Sequence, residues 1–259
     1  YNVRSWTKAI TNPLFQQTLY YYESYGGSKP QYSGNIAAMN WKHSSENIIR
    51  GYTFTYDNLS RLTAADYLQN AAANSNYKTA YTYDKMGNMQ TLLRYGKKDA
   101  GSDASSYDII DNLSMQYFGN QLIKVHDTGV NVLINESMDF KDHTSGNGAY
   151  AYNQNGAMTK DTHKGISSIR YNSLNLPVAI EIANPQTKGR IKYLYSATGV
   201  KLQTVHETDQ TTLSAPMAAA TTYSTGETKV KVTDYIANKV YEGQALKRIL
   251  IDGGYIEDN

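Results

Sequence analysis

The side chains that could do chemistry are scattered along the chain and lack the spacing of a catalytic or metal-binding motif. The histidines, which show neither HxH nor HExxH spacing, are His43, His126, His143, His163 and His206. Asp142, His143 and Ser145 have the residue types of a hydrolase triad, but triads are recognised by geometry, so this adjacency indicates a loop. Cysteine and the glycine-rich nucleotide motifs are absent. We predict a non-enzymatic chain with no catalytic residue, no metal site and no cofactor.

Three polar residues, Asp57, Asp84 and Asn153, each follow an alternating pair of aromatic residues. Side chains of these types accept hydrogen bonds from the backbone N–H two residues further on, which opens a turn. Calcium binding is the functional alternative, but the DxDxDG spacing of a calcium loop does not occur. The pattern therefore predicts turns at these positions.

Tyrosine is unusually frequent, with 24 copies among 259 residues. Tyrosine favours half-buried strands, where the ring packs and the hydroxyl finds a partner. One interpretation places Tyr81, Tyr83, Tyr152, Tyr193 and their equivalents in cross-strand ladders, with roughly 0.2–1 kcal/mol for each pair. The other makes part of the array a surface that binds sugar or peptide by stacking. Both interpretations stay open, because the sequence does not say which tyrosines face outward.

A repeat contains these tyrosines, and its clearest copy is YTYDKMGNMQTLL, which begins at Tyr81. Asp84 begins the turn, Gly87 and Asn88 are of the types that tolerate positive φ, and Met89 opens the return strand. The pattern predicts a β-hairpin with its aromatic residues on one face. The candidate repeat residues are Tyr52, Phe54, Tyr56, Asp57, Tyr81, Tyr83, Asp84, Gly87, Asn88, Met115, Tyr117, Gly119, Asn120, Tyr150, Tyr152, Gly156, Tyr171, Tyr193, Tyr195 and Gly199.

One hairpin is marginal in water, so neighbouring hairpins must pair to bury their common face. We predict an all-β fold of tandem, irregular hairpins wound into a continuous curved or spiral sheet. Its turns are expected near Asn58–Ser60, Met86–Asn88, Gly119–Asn120, Asn155–Gly156 and Ala197–Gly199. The spacing between equivalent tyrosines is uneven, from 19 residues between Tyr152 and Tyr171 to 35 between Tyr117 and Tyr152. This unevenness favours hairpins of different lengths over a strict solenoid.

The repeats indicate one continuous domain with four segments. Residues 1–50 hold a degenerate hairpin, 51–206 the clear repeats, 207–228 a long mobile excursion, and 229–259 a terminal hairpin. Polar loops are expected at Asn70–Asn76 and Lys97–Ser106. The formal net charge of +2 gives no electrostatic signature of a nucleic-acid partner, and no apolar run has the length of a membrane span.

The string YTYDKMGNM resembles the YD repeat of the Rhs (rearrangement hotspot) family, and GYTFTYDNLSRLTAA is similar to its variant with Ser-Arg-Leu after the turn. The resemblance covers about four-fifths of the chain, although the copies at Tyr152, Tyr171 and Tyr195 replace Asp by Asn or Ser. It implies hairpins that spiral into a hollow shell, which in bacterial members encloses a C-terminal toxin. The terminal GGYIEDN looks like the approach to the core segment that closes such shells, and that core segment is missing here.

Together these features predict a structural segment of an exported shell protein. Its partner is then the remainder of the parent polypeptide, with a core segment and a toxin or other cargo, and its location is extracellular or at the cell surface. The chain starts at Tyr1 and not at Met, so we expect it to be a piece of a longer protein. The alternative is a cell-surface adhesion module that binds glycan or protein through exposed tyrosines.

Overall fold

The protein is all-β, as predicted, in a computed structural model that describes residues 1–130, 132, 139–140, 142, 148–183, 188–209 and 228–257. Within these residues the only helical elements are two short 3-10 turns, Ser75–Tyr77 and Ala104–Ser106. No helix in the described part of the chain has the length and apolarity needed to span a membrane. The chain divides into two compact units, Tyr1–Asp142 and His143–Asn259.

The first unit is a ten-stranded antiparallel sheet in which consecutive strands pair, with the short β6 attached beside β5. Its strands are β1 (Ala9–Thr11), β2 (Phe15–Tyr20), β3 (Ala38–His43), β4 (Arg50–Tyr56), β5 (Leu62–Gln69), β6 (Ala72–Ala73), β7 (Thr79–Tyr83), β8 (Met89–Lys97), β9 (Tyr107–Phe118) and β10 (Gln121–Asp127). Apart from β6, each described hairpin therefore contacts mainly the hairpins before and after it in sequence.

The second unit repeats this arrangement in a separate ten-stranded antiparallel sheet. Its strands are β11 (Tyr150–Tyr152), β12 (Met158–Asp161), β13 (Ile166–Tyr171), β14 (Pro177–Ala183), β15 (Lys188–Tyr195), β16 (Lys201–Asp209), β17 (Thr228–Ile236), β18 (Lys239–Glu242), β19 (Ala245–Ile251) and β20 (Gly254–Glu257). The described strands thus form two sheets and not the single continuous sheet expected from the repeats.

The boundaries of the four predicted segments do not coincide with the ends of these strands. Residues 1–50 contain three complete strands, β1 to β3, and the region after residue 229 contains β18 to β20 in addition to most of β17. The expected excursion at 207–228 begins inside β16, which pairs directly with β17, and residues 210–227 lie outside the described part of the chain. The four-segment division itself stays a prediction.

Burial alternates along several strands because successive side chains point to opposite faces of a sheet. In β9, Asp111 and Leu113 are buried while Asn112 and Ser114, the residues that follow them, are exposed. The core of the first unit also includes Ala65, Tyr67 and Leu68 of β5. Most repeat residues lie at the half-buried positions of this pattern, which suits a ring that packs and a hydroxyl that needs a partner.

Candidate functional site

In the part of the chain that the structure describes, five hairpins turn through the same five-residue loop. The loops are Asp57–Arg61, Asp84–Asn88, Asn153–Ala157, Asn172–Leu176 and Ser196–Val200. In each, the first N–H donates to the fifth carbonyl and the fourth N–H donates to the first carbonyl, at 2.9 and 3.2 Å in the Asp84 loop. Four of the five predicted turns have this form. The fifth, Gly119–Asn120, is a two-residue turn that joins β9 to β10, and Gly119 has a φ of 60°.

The first side chain of the loop is its main polar contact. The Oδ1 atom of Asp84 accepts hydrogen bonds from the N–H groups of Met86 and Asn88, both at 2.8 Å. Asn153 makes the same pair of bonds, at 3.0 and 2.9 Å, with the second and fourth residues after it. Asparagine and aspartate therefore serve equally here, because the loop needs one oxygen atom that accepts two hydrogen bonds.

The fourth loop residue has a positive φ in every copy. These residues are Ser60, Gly87, Gly156, Asn175 and Gly199, with φ between 58° and 93°. Asn88, which by its type also tolerates a positive φ, does not adopt one. Its side-chain amide instead donates to Oδ2 of Asp84 at 2.8 Å, which adds a second link across the turn.

Substitutions at the fourth loop position test whether this position requires a positive φ. Gly87→Ser forces a side chain into the left-handed region and is expected to lower the free energy of unfolding of the first unit by about 1 kcal/mol. The reverse change, Ser60→Gly, relieves that strain and is expected to be neutral or stabilising. Urea unfolding of both variants measures the difference. Equal losses of stability would contradict the assigned loop geometry.

The acidic loops have lowered carboxyl pKa values. The side-chain amide of Asn88 and the N–H groups of its loop hold the pKa of Asp84 below its ordinary value. For Asp57 the main cause of the lowered pKa is the hydrogen bond from the Arg61 N–H. The unfolded chain therefore binds more protons near pH 4 than the folded chain, so these loops stabilise the fold above that pH and lose their contribution as the pH falls.

Asp84→Asn is expected to reduce this acid sensitivity, because asparagine keeps the accepting oxygen and cannot titrate. Wild type should lose more thermal stability than the variant between about pH 5 and about pH 3, and the two should stay parallel above that range. Melting temperatures recorded across the pH series provide the check. Curves that remain parallel down to the lowest pH would contradict the role of the carboxylate.

Within the described residues, tyrosine hydroxyls join neighbouring hairpins through four hydrogen bonds of one kind, which we call the tyrosine seams. Each hydroxyl donates to the carbonyl of the apolar residue that follows the turn of an earlier hairpin. The bonds are Tyr56 to Ile36, Tyr83 to Leu62 and Tyr117 to Met89, each at 2.8 Å, and Tyr171 to Met158 at 2.6 Å. Because the acceptor is a backbone atom, a seam depends little on the side chain that it reaches.

Arg61 reinforces one of these seams. Its Nε atom donates to Oδ2 of Asp57 at 2.6 Å, and its Nη1 atom donates to the carbonyl of Asp84 in the next turn at 3.0 Å. The guanidinium carbon lies 4.8 Å from the ring centroid of Tyr83. One arginine thus holds two turns and the seam tyrosine together, which gives a physical role to the Ser-Arg-Leu variant of the repeat.

Ring-to-ring contacts run through a different set of residues, which we call the aromatic row. Successive centroids of Trp41, Tyr52, Tyr67, Tyr77 and Tyr107 lie 5.2–5.9 Å apart. Burial raises the pKa of Tyr52 to about 12, so its hydroxyl stays protonated at neutral pH. Of these residues only Tyr52 was among the candidates. Trp41, Tyr52 and Tyr67 come into line because β3, β4 and β5 pair, and Tyr52 and Tyr67 are direct cross-strand partners. Tyr77 lies in the 3-10 turn after β6.

The repeat residues named from the sequence occupy structural positions. Their half-buried members are Tyr52, Phe54, Tyr56, Asp57, Tyr81, Tyr83, Asp84, Asn88, Met115, Tyr117, Tyr150, Tyr152, Tyr171, Tyr193, Tyr195 and Gly199. Tyr193 and Tyr195 contact each other along one strand, with centroids 6.3 Å apart. Tyr83 is held by its seam hydrogen bond to Leu62 and by its contact with Arg61. The predicted cross-strand ladders of rings therefore match the aromatic row better than they match Tyr83.

A group of three carboxylates in the first unit was not expected. Oxygen atoms of Asp111, Asp127 and Asp139 lie within 4.8 Å of one another, and carboxylate oxygens are the ligands that calcium and magnesium prefer. However, the protein supplies donors of its own here. Arg94 pairs with Oδ2 of the buried Asp111, and the N–H of Phe140 donates to Oδ1 of Asp111 at 2.8 Å. This arrangement fits a buried ion pair that anchors Phe140 to the sheet, and the predicted lack of a metal site stays a prediction.

The residue types of the triad are not brought together in the described part of the chain. Oδ2 of Asp142 lies 2.9 Å from Nδ1 of His126 on β10 and accepts from the N–H of Asp127 at 3.3 Å. His143 and Ser145 lie outside the described residues. Asp142 therefore links the chain after β10 back to that strand.

The comparisons with known proteins give only a distant similarity. No protein-family model matches the chain, and no curated protein matches it. Among solved structures, it is similar to the crystal structure of TcdB2-TccC3-Cdc42, with 11% sequence identity and a TM-score of 0.49 over 92% of this chain. The aligned region spans 12% of the chain in that structure.

Proposed function

We propose that this chain is a non-enzymatic stretch of shell wall from an exported YD-repeat protein, whose shell encloses a C-terminal toxin or other cargo. The observation that supports this most directly is the set of tyrosine seams. In each, the repeat tyrosine uses its hydroxyl to hold a neighbouring hairpin. Side chains that are engaged in holding neighbouring hairpins together suit a wall better than they suit a substrate site.

The wall in this proposal acts by exclusion. Paired strands leave few unsatisfied backbone groups, and the half-buried rings close the gaps between hairpins, so a protease has little unfolded chain to attack. No side chain of the wall takes part in a reaction. The partner is the remainder of the same polypeptide, as the resemblance to the Rhs family implies.

Adhesion through exposed repeat tyrosines is the alternative function. The identity of the most exposed tyrosines gives it little support. Among the tyrosines that the structure describes, the largest exposed fractions are 86%, 68% and 55%, for Tyr1, Tyr32 and Tyr255. None of these is a candidate repeat residue. A surface that recruited the repeat for binding would present the repeat tyrosines themselves.

Limited proteolysis of the full-length protein that contains this chain tests the proposal. The cargo attached to its wall should be digested more slowly than the same cargo expressed alone. Opening two seams with Tyr83→Ala and Tyr117→Ala should raise the digestion rate of the attached cargo, and Tyr255→Ala should leave it unchanged. Equal digestion of free and attached cargo would overturn encapsulation.

A further inference from the structure

One of the five-residue loops carries an asparagine–glycine pair at its tip. In the loop Asn153–Ala157, Asn155 is the third residue and Gly156 is the fourth. The other four loops of this form have leucine, methionine or threonine at the third position. The sequence contains one further asparagine–glycine pair, Asn147–Gly148, whose asparagine lies outside the described residues. Among the five loops, only this one therefore has the residue pair that deamidates most readily.

Deamidation of such a pair needs no enzyme. The backbone nitrogen of Gly156 attacks Cγ of Asn155, so that a new C–N bond forms while the bond from Cγ to Nδ2 breaks. The leaving Nδ2 takes the proton of the Gly156 N–H and departs as ammonia, which leaves a five-membered cyclic imide. Water then opens one of the two imide carbonyls and gives either aspartate or isoaspartate at position 155. Glycine favours the attack because no Cβ crowds its nitrogen atom.

The tip of the loop is open to the water that the second step consumes. Gln154, Asn155 and Gly156 are all exposed. The side-chain amide of Asn155 forms no hydrogen bond with the described part of the chain, so it is free to turn toward the next peptide bond. Access therefore does not limit the reaction at this position.

The hydrogen bonds of the loop restrain the attacking nitrogen. The Gly156 N–H donates to the Asn153 carbonyl at 3.0 Å. Oδ1 of Asn153 accepts from the N–H groups of Asn155 and Ala157, at 3.0 and 2.9 Å. The proton that the attack must remove is thus engaged, and the main chain on both sides of the reacting side chain is fixed. Cyclisation requires the loop to open, which is a local event that costs less than global unfolding.

The hairpin that carries this loop lies at an edge of the second sheet. In the described strand order, β11 is the first strand and pairs only with β12. Isoaspartate adds one main-chain carbon atom between residues 155 and 156. The bond from the Asn153 N–H to the Ala157 carbonyl, now 2.8 Å, then no longer spans the loop correctly. A three-residue edge strand that loses its turn is the element of this sheet that separates most easily.

We propose that Asn155 is a site of spontaneous deamidation, that the side chain of Asn153 limits its rate, and that the isoaspartate product loosens β11 from the second sheet. The site does not depend on the proposed wall function. A wall ages by this route whether or not it encloses cargo.

Incubation of the whole 259-residue chain at neutral pH, followed by peptide mapping that separates asparagine, aspartate and isoaspartate, tests the site. Asn147→Gln in every sample removes the other asparagine–glycine pair. A synthetic peptide with the sequence of residues 149–160 gives the rate without the fold. We expect Asn155 to convert about tenfold to about a hundredfold more slowly in the folded chain than in the peptide.

Substitutions of the first loop residue test the restraint. Asn153→Ala removes the accepting oxygen and should speed conversion of Asn155 at least about threefold. Asn153→Asp keeps that oxygen and should leave the rate unchanged. Asn172→Ala removes the same acceptor from the loop Asn172–Leu176 and should also leave it unchanged. Amide hydrogen exchange over residues 150–161 should become faster in the converted chain than in the fresh chain.

Four results would overturn the proposal. Equal conversion rates in the chain and the peptide would mean that the loop does not limit the reaction. A lack of conversion over about a hundred half-lives of the peptide reaction would mean that Asn155 is not a site. Equal rates for Asn153→Ala and Asn172→Ala would exclude Asn153 as the restraint. Unchanged hydrogen exchange over residues 150–161 after conversion would contradict the loosening of β11.

Discussion

Replacing Arg94 with alanine is expected to lower the free energy of unfolding of the first unit by about 3 kcal/mol. Arg94 and Asp111 are direct partners on β8 and β9, and only 2% of the Asp111 side chain is exposed. The substitution leaves a buried carboxylate whose remaining described donor is the N–H of Phe140. A buried charge without its counter-charge is one of the costliest defects in a folded chain.

The second unit offers a matched control for this prediction. Arg248 and Glu257 are also direct cross-strand partners, on β19 and β20, but their side chains are 45% and 38% exposed. Solvent screens such a pair, so Arg248→Ala should change stability little. Urea unfolding that separates the transitions of the two units measures both variants. Comparable losses for Arg94→Ala and Arg248→Ala would mean that burial of Asp111 does not determine the effect.

Tyr83→Ala is expected to destabilise the first unit by about 2–3 kcal/mol, somewhat below the usual range for truncation of a fully buried aromatic residue. The ring is half-buried beneath Arg61, and its hydroxyl makes the seam to the carbonyl of Leu62 at 2.8 Å. Tyr83→Phe keeps the ring and removes only the seam hydrogen bond, so we expect a loss of about 1 kcal/mol. The difference between the two variants separates packing from hydrogen bonding.

Tyr255→Ala is the control for the seam tyrosines. Tyr255 falls in the segment 229–259, which the sequence predicts to be a terminal hairpin. It lies in β20, the last strand that the structure describes, and its ring lies against Arg248. The ring is 55% exposed, so its removal should have a small effect. Melting temperatures that fall equally for Tyr83→Ala and Tyr255→Ala would argue against a structural role for the seam.

Local chemistry made the turns predictable from sequence. Asp84 and Gly87 stand three residues apart because the loop requires an acceptor at its first position and a positive φ at its fourth. Both requirements are met within five residues, so no knowledge of the rest of the fold is needed. The same reasoning selects Asn153 and Gly156 as the first and fourth residues of a loop. It also predicts the alternating strands on either side of that loop.

Features that join distant residues were not predictable in the same way. The seam from Tyr83 crosses to Leu62, and the sequence contains no signal that selects a backbone carbonyl as the acceptor. Asp111 shares its face of β9 with the buried Leu113, but only the structure shows the donors of Arg94 and Phe140 that allow a carboxylate to be buried there. The end of the first sheet at β10 likewise depends on strand pairing, which the repeat pattern leaves open.

The tyrosine seams have a consequence for how such chains change length during evolution. Each seam joins a hydroxyl of one hairpin to a main-chain oxygen of an earlier one, and every residue type provides that oxygen. A duplicated or deleted hairpin therefore meets a compatible neighbour wherever the join falls. We therefore expect unequal recombination between copies to be tolerated, and the tyrosine spacing varies from 19 to 35 residues within this one chain.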